Sequence, residues 1–110
     1  MLAKPSRVRT SDEYRAVFAS GRSTHGRLLT IRIADRDGSA RFGIIVGGKV
    51  SGKATERNQI RRRIRSAIRE LALQDRTGFE AVVIANPSAV GADYESIKAE
   101  LDELVGSRGT

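Results

Sequence analysis

Residues 56–70 read ERNQIRRRIRSAIRE, and this stretch is the strongest indication of how the chain folds and what it contacts. A helical repeat of about 100° per residue divides it into two sides. The apolar side holds Ile60, Ile64, Ala67, Ile68 and, just beyond, Leu71; the other side holds Asn58, Arg62, Arg65 and Arg69, with Arg61 beside them. We therefore predict a helix that packs on a core through one side and offers guanidinium groups through the other.

The positive charges of this helix lack compensation within the sequence. Four arginines lie between Arg61 and Arg65, and no acid follows them before Glu70. Like charges repel on a helix, and the helix dipole disfavours cations in the N-terminal half. A basic face that only kept the protein soluble would mix charge signs, and a membrane-surface helix would carry a wider apolar stripe with Trp or Phe. The pattern therefore favours an external polyanion, and nucleic acid before lipid.

The charge of the whole chain agrees with this interpretation. Its 110 residues carry a formal net charge of +7, and 16 of the 20 basic residues are Arg. Residues 1–74 hold 17 basic and 6 acidic residues, a net of +11, whereas residues 75–110 hold 3 and 7, a net of −4. The positive charge of residues 1–74 predicts that the first two thirds of the chain meet the partner. Because guanidinium groups fork onto phosphates and stack on bases, the excess of Arg favours nucleic acid as that partner.

The elements before the basic helix follow from local signals. Ser11 is expected to cap a short helix that ends at Gly21, with Tyr14, Val17 and Phe18 on one side. Residues 27–33 and 41–46 are β-rich, and the Asp37-Gly38 turn signal between them predicts two antiparallel strands. Residues 1–10, with Lys4, Arg7 and Arg9, form a basic N-terminal arm.

The elements after the glycine-rich break at residues 47–52 are equally clear. Thr55 is the expected cap of the basic helix, which runs to about Leu73. A strand at residues 81–85 and a last helix capped by Asp93 follow, and only the tail at residues 106–110 is expected to fray. The apolar stripe of the last helix consists of Tyr94, Ile97, Leu101, Leu104 and Val105. The order predicts a single α+β domain over residues 1–110, an α/β sandwich with helices packed on one sheet.

Three other groups of residues are weaker candidates for a site. Lys49 and Lys53 could bind phosphate, but the nearby glycines lack the spacing of a nucleotide-binding loop. The only histidine, His25, has no evident orienting partner for general-base chemistry. Asp35 and Asp37 fit turn chemistry better than a metal site. A protein nuclease with its own acid–base pair is therefore not favoured.

At this point the chain resembles the bacterial ribonuclease P protein family, whose signature is an Arg-Asn-Arg start to a basic helix. The positions that match are Arg57, Asn58, Ile60, Arg61, Arg62, Ile64, Arg65 and Glu70. The likeness extends to Tyr14, Val17 and Phe18, to Gly21, Gly26-Arg27 and Lys49, and to residues 41–44. It covers roughly residues 7–105, which makes it more specific than the helix alone.

The resemblance implies a fold with the element order αβββαβα, which contains a small mixed sheet and an unusual left-handed βαβ crossover. It also implies that the basic helix binds the catalytic RNA and that a cleft between the first helix and the sheet takes the single-stranded 5′ leader of precursor tRNA. The residues expected at the RNA are Arg57, Asn58, Arg61, Arg62, Arg65, Arg69, Lys49 and Lys53. Those expected to line the leader cleft are Tyr14, Phe18 and Arg32, although the two aromatic residues could equally be core.

Two positions depart from the family pattern. Gln59 stands where the signature has its second Arg, which removes one charge. Arg32 occupies a sheet position where some members have an aromatic residue, and an Arg could still stack on a base.

Further expectations concern cofactor, partners and compartment. Catalytic RNA would supply the active site and hold Mg²⁺, so no catalytic or metal-binding side chain is expected here. The partners would be that RNA and precursor tRNA, with no membrane and no obligate protein partner, in the cytoplasm. The alternative is a non-catalytic protein that binds structured RNA, of the ribosomal or RNA-chaperone type.

Overall fold

The structure is a computed structural model that describes residues 11–106, with the backbone alone described at Ser11, Glu13 and Ser20. The predicted basic arm at residues 1–10 and the tail beyond Gly106 lie outside the described residues. The helices are α1 (Ser11–Ser20), α2 (Ala54–Glu70) and α3 (Tyr94–Gly106); the strands are β1 (Arg22–His25), β2 (Leu29–Ser39), β3 (Arg41–Ile45) and β4 (Thr77–Ala85). The α+β class and the order αβββαβα are confirmed.

The four strands form one mixed sheet in the order β1-β2-β4-β3. The last strand in sequence, β4, lies between β2 and β3, and it pairs antiparallel with β2 and parallel with β3. Parallel neighbours need a crossover, and α2 supplies it between β3 and β4. The left-handed sense of that crossover stays a prediction.

The expected pairing of residues 27–33 with residues 41–46 is wrong. Strand β2 continues through Asp37-Gly38 to Ser39, with an irregularity between Asp35 and Ser39 where its register against β4 shifts. Gly38 has a φ of 91°, a conformation that glycine adopts without steric cost. The turn signal therefore marks a bulge within β2, and the neighbour of both strands comes from residues 77–85, about forty positions later.

The basic helix begins two residues earlier than expected, and Thr55 does not cap it. The N-cap is Lys53, whose side chain makes no capping hydrogen bond. Ser51 stabilises this end instead, since its hydroxyl accepts the Lys53 N–H at 3.0 Å and donates to the Glu56 carboxylate at 2.5 Å. The helix ends at Glu70 rather than Leu73, because Ala72 turns into the left-handed region at φ 55° and a 3-10 turn, Leu73–Asp75, follows.

The two faces of the sheet carry different layers. Alternate residues of β4 send Phe79, Ala81, Val83 and Ala85 into the main core, which α2 and α3 cover. The predicted stripe of α3 is confirmed, and Asp93 caps that helix by accepting the Ser96 N–H at 2.9 Å. On the opposite face, α1 packs Val17 against Ala34 and Val82 in a second, much smaller cluster. Much of this opposite face is therefore available to line a cleft.

Candidate RNA interface

The two sides of α2 differ as the sequence predicts. Ile60, Ile64, Ala67 and Ile68 are buried against the sheet and α3. On the other side, Asn58, Arg62 and Arg69 are exposed, and Arg61 and Arg65 are half-buried. An open groove of about 650 Å³ is lined by Asn58, Arg61, Arg62 and Arg65, and a second depression continues from it past Ser66 to Arg69. We call Asn58, Arg61, Arg62, Arg65 and Arg69 the basic face.

Two arginines near the start of α2 are held by the protein. Arg61 donates to Asn58 Oδ1 at 2.9 Å and to the Val46 carbonyl at 3.3 Å. Arg57 donates to the Ser51 carbonyl at 2.9 Å. Each of these guanidinium groups keeps further N–H donors, so both are oriented without being saturated.

The other three arginines of the basic face have no such restraint. Within residues 11–106, no acid forms an ion pair with Arg62, Arg65 or Arg69, and no hydrogen bond orients their side chains. Three uncompensated charges on adjacent turns repel one another, and a phosphate backbone laid in the groove would relieve that repulsion.

Arg63 belongs to a different environment from its neighbours. It donates to the Ala92 carbonyl at 2.6 Å and therefore joins α2 to the segment before α3. The other three arginines between Arg61 and Arg65 line the groove, and Arg63 does not. Gln59, where the family signature has Arg, is exposed.

Lys49 and Lys53 lie at the N-terminal end of α2. Lys49 is exposed in a turn closed by a 3.1 Å hydrogen bond from the Val50 N–H to the Gly47 carbonyl. Lys53 is the exposed N-cap residue. Both lysines thus extend the positive charge of the basic face beyond its first turn.

The strand register defines a row of residues across the face of the sheet that α1 partly covers. His25 is paired with Thr30, Thr30 with Ile84, and Ile84 with Ile45. Because paired residues project from the same face, these four form what we call the open row. His25 is exposed and the other three are half-buried.

The next row lies under α1 and consists of Ser23, Arg32, Val82 and Gly43. Val82 is fully buried beneath Val17. Tyr14 lies over Gly43, where a Cβ atom would come within 2.7 Å of the Tyr14 hydroxyl oxygen, so glycine permits this close approach. We call the space bounded by Tyr14, Phe18, Arg32 and the open row the α1 cleft.

Arg32 is the most tightly restrained residue of this cleft. Its guanidinium donates to the Ser23 hydroxyl at 2.8 Å and to the Phe18 carbonyl at 2.6 Å. The same group lies over the Phe18 ring, 5.9 Å from the centroid. Phe18 is 38% exposed, unusually open for a large apolar residue, and Tyr14 is half-buried against the small cluster. The arrangement offers a base a ring to stack on beside a fixed cation.

The remaining candidates do not assemble into a catalytic or metal site. His25 lies in β1 rather than in a turn, and within residues 11–106 its ring is hydrogen-bonded to the Thr30 hydroxyl alone, at 3.4 Å. Asp35 and Asp37 lie in β2 rather than in a turn between strands. Over the described part of the chain, no three His, Cys, Asp or Glu residues are grouped to hold a metal ion.

Comparison with known proteins identifies the family. Residues 2–108 match the family model described as Ribonuclease P. The ribonuclease P protein component of Synechocystis sp. is 37% identical over 98% of this chain and 89% of its own length. That of Bacillus cereus is 33% identical over 91% of this chain and 88% of its own length. The chain belongs to the ribonuclease P protein family.

Solved structures of this family have the same fold. The ribonuclease P protein from Thermotoga maritima superposes with a TM-score of 0.81 over 94% of this chain and 98% of its own, at 25% identity. That from Staphylococcus aureus gives a TM-score of 0.80 at 22% identity, which supports the fold alone. Membership places the chain in ribonuclease P and in tRNA processing, and a ribosomal protein or RNA chaperone is not favoured.

Sequence reasoning missed part of the cleft of this ribonuclease P family member. The cleft is also lined by His25, Thr30, Ile45 and Ile84. Alternation within each strand could have indicated which face these residues share, but not how the strands align with one another.

None of the helices between residues 11 and 106 combines the length and apolar character that crossing a membrane requires.

Proposed function

We propose that this protein binds the catalytic RNA of ribonuclease P through the basic face and the 5′ leader of precursor tRNA through the α1 cleft. The observation that carries the proposal is the row of Arg62, Arg65 and Arg69, which have no acidic partner within residues 11–106. Such a row is suited to a phosphate backbone, which contributes affinity without reading sequence.

The leader assignment rests on the chemistry of the cleft. A single-stranded RNA exposes its bases, and proteins hold such strands by stacking bases on aromatic rings and Arg planes. The exposed Phe18 ring and the restrained Arg32 provide these groups, and the half-buried Ile45 and Ile84 provide an apolar floor. A paired stem hides its bases and would use these groups poorly.

We propose that the active site for the chemical step lies in the RNA. The complex is proposed to work in the cytoplasm. Hydrolysis of a phosphodiester requires an activated water and stabilisation of charge on the phosphate, and Mg²⁺ supplies both when bound. No described group of side chains suits a metal ion held by this chain, and no carboxylate among residues 11–106 is hydrogen-bonded to His25. The protein's own contribution is to neutralise phosphates and to hold the leader in place.

The test is cleavage of a leader-bearing precursor tRNA by a bacterial ribonuclease P RNA at low Mg²⁺, with and without this protein. A large gain in rate that needs both components is expected, together with no cleavage by the protein alone. Tight, salt-dependent RNA binding without a gain in cleavage would instead indicate a general RNA-binding protein. Cleavage by the protein alone would contradict an active site in the RNA.

A further inference from the structure

The turn between β1 and β2 is fixed by a carboxylate from the far end of the chain. Glu100, on α3, accepts the backbone N–H groups of Arg27 at 3.1 Å, Leu28 at 2.7 Å and Leu29 at 2.6 Å. Three converging N–H groups form an anion-binding concavity, and here the anion is a side chain of the protein itself. The turn is thereby attached to a helix more than seventy residues away.

Other groups hold the same turn through its carbonyls. The Asn86 amide donates to the Gly26 carbonyl at 3.0 Å and to the Arg27 carbonyl at 3.4 Å, and the Ser88 hydroxyl also donates to the Arg27 carbonyl. At Gly26, a Cβ atom would lie 2.6 Å from a Glu100 carboxylate oxygen, so a larger residue there would displace the carboxylate. Both peptide groups of Arg27 are therefore restrained.

All of these restraints act on the backbone of Arg27 and none on its side chain. Arg27 is exposed, and no acid or carbonyl among residues 11–106 contacts its guanidinium. The Glu100 oxygens are occupied by N–H donors rather than by this cation. A free guanidinium on an immobile backbone loses less conformational freedom on binding than one on a mobile loop.

The position of the turn connects it to the α1 cleft. His25, the end of the open row, lies two residues before Arg27. Thr30, its neighbour in that row, donates a 2.9 Å hydrogen bond to Asn86, the same residue that holds the turn. A strand that stacks at Phe18 and crosses the open row would therefore arrive at Arg27.

We propose that the β1–β2 turn is a phosphate-binding point for the single-stranded 5′ leader, with Arg27 as the cation and Glu100 as its positioning residue. This inference rests on the proposed leader function of the α1 cleft and extends it to the edge of the sheet. The opposing interpretation is that Glu100 only joins α3 to the sheet, in which case the Arg27 side chain is dispensable.

The experiment measures holoenzyme affinity for precursor tRNAs with leaders of increasing length and for mature tRNA. Arg27→Ala is compared with Arg76→Ala, which removes the same charge from an exposed position at the opposite end of the sheet, next to β4 at Thr77. Arg27→Ala is expected to weaken binding about three- to fivefold, the size of one exposed ion pair, once the leader is long enough to reach the turn. The salt slope for such leaders should fall by about 0.7.

Mature tRNA and the Arg76→Ala protein should show no such change. An equal loss on mature tRNA would overturn the proposal by assigning Arg27 to another RNA surface. No loss at any leader length would overturn it by making the side chain dispensable.

The positioning role of Glu100 is tested by a double-mutant cycle. Glu100→Ala should cause the same leader-dependent loss, and adding Arg27→Ala should then weaken binding little further, because the two residues act as a unit. If Glu100→Ala prevents folding, Glu100→Gln serves in its place, since it keeps one oxygen acceptor and should lose less. Fully additive losses would contradict the positioning role.

The outcome with Phe18→Ala separates this inference from the proposed function. If Phe18→Ala lowers the preference for leader-bearing RNA and Arg27→Ala does not alter it, only the proposed phosphate-binding role of Arg27 is wrong. If neither variant affects that preference, the proposal that the α1 cleft binds the leader is wrong.

Discussion

The basic face of α2 and the α1 cleft both depend on arginine, but they treat the guanidinium group in opposite ways. Arg62, Arg65 and Arg69 have no acidic partner in the described part of the chain, whereas Arg32 is fixed by Ser23 and by the Phe18 carbonyl. Unrestrained charges suit a phosphate backbone, which can be met in many registers. A restrained cation beside a ring suits a defined pocket for a base. The difference indicates that the basic face contributes affinity for RNA phosphates, whereas the α1 cleft recognises the shape of a base.

The largest effect is expected from removing two charges of the basic face. The double variant Arg62→Ala/Arg65→Ala should weaken binding to the catalytic RNA by about a hundredfold, since each hydrogen bond to a charged group contributes about 1.5 kcal/mol or more. The salt slope should fall by about two units, which fluorescence binding across a salt series would measure. Arg63→Ala is the control, because Arg63 is hydrogen-bonded to the Ala92 carbonyl and does not line the groove. A similar fall in the salt slope for Arg63→Ala would mean that the loss of RNA affinity does not depend on which side of α2 carries the charge.

The second largest effect is expected from removing the aromatic ring of the α1 cleft. Phe18→Ala should weaken holoenzyme binding to precursor tRNA by about 1–3 kcal/mol, the contribution of one stacked base, and leave binding to the catalytic RNA unchanged. Val90→Ala is a matched control, since Val90 is 37% exposed and Phe18 38%. Equal losses for the two variants would attribute the effect to exposed apolar surface in general.

A third variant perturbs the cleft through its wall. In Gly43→Ala the new methyl group would lie within 2.8 Å of three Tyr14 atoms, so Tyr14 must move. Such overpacking should lower the free energy of unfolding by about 1–3 kcal/mol, measured by urea denaturation, and should also weaken leader binding. Gly48→Ala provides the control for stability, because a Cβ atom there meets nothing within 4 Å. Wild-type stability in Gly43→Ala would show that Tyr14 is not held over this strand.

The smallest effect concerns the side of α2 that faces α3. Hydrogen bonds from Lys98 and then from Tyr94 lower the pKa of the Glu70 carboxyl, and the bond to Glu70 raises the pKa of Lys98. A lowered acid pKa stabilises the fold above the unfolded value and is lost as the pH falls through the folded value. The small stability difference between wild type and Lys98→Ala should therefore be present near neutral pH and shrink below the ordinary Glu value of 4.5.

The ion pair between Glu70 and Lys98 also predicts a change in stability at alkaline pH. Because the pKa of Lys98 is raised, its contribution is complete below the ordinary value of 10.5 and disappears as the pH rises through the folded value. Urea denaturation across pH would check both limits. A difference that stayed constant from acid to neutral pH would exclude the ion pair as its cause, and RNA affinity should not change in this variant.

Local patterns predicted the features that depend on one element. The two sides of α2, the apolar stripe of α3 and the Asp93 cap are consequences of helical periodicity and of a side chain near its own backbone. The exact start of α2 was missed because Ser51, two residues before the N-cap, makes the stabilising contacts that Thr55 was expected to make.

Features that depend on distant parts of the chain were not predictable from local patterns. The insertion of β4 between β2 and β3 decides which residues share the open row, and no turn signal encodes it. The restraint of Arg32 by Ser23 and the fixing of the Arg27 turn by Glu100 likewise join separate elements. The family resemblance supplied the general location of a cleft, while its floor required the strand register.

The most direct test of two separate surfaces is the ratio of holoenzyme affinity for leader-bearing precursor tRNA to that for mature tRNA, measured with saturating protein. We predict that Phe18→Ala brings this ratio much closer to one, and that Arg62→Ala/Arg65→Ala leaves it at the wild-type value once the complex is assembled. A ratio that falls equally in both proteins would contradict the division between the basic face and the α1 cleft.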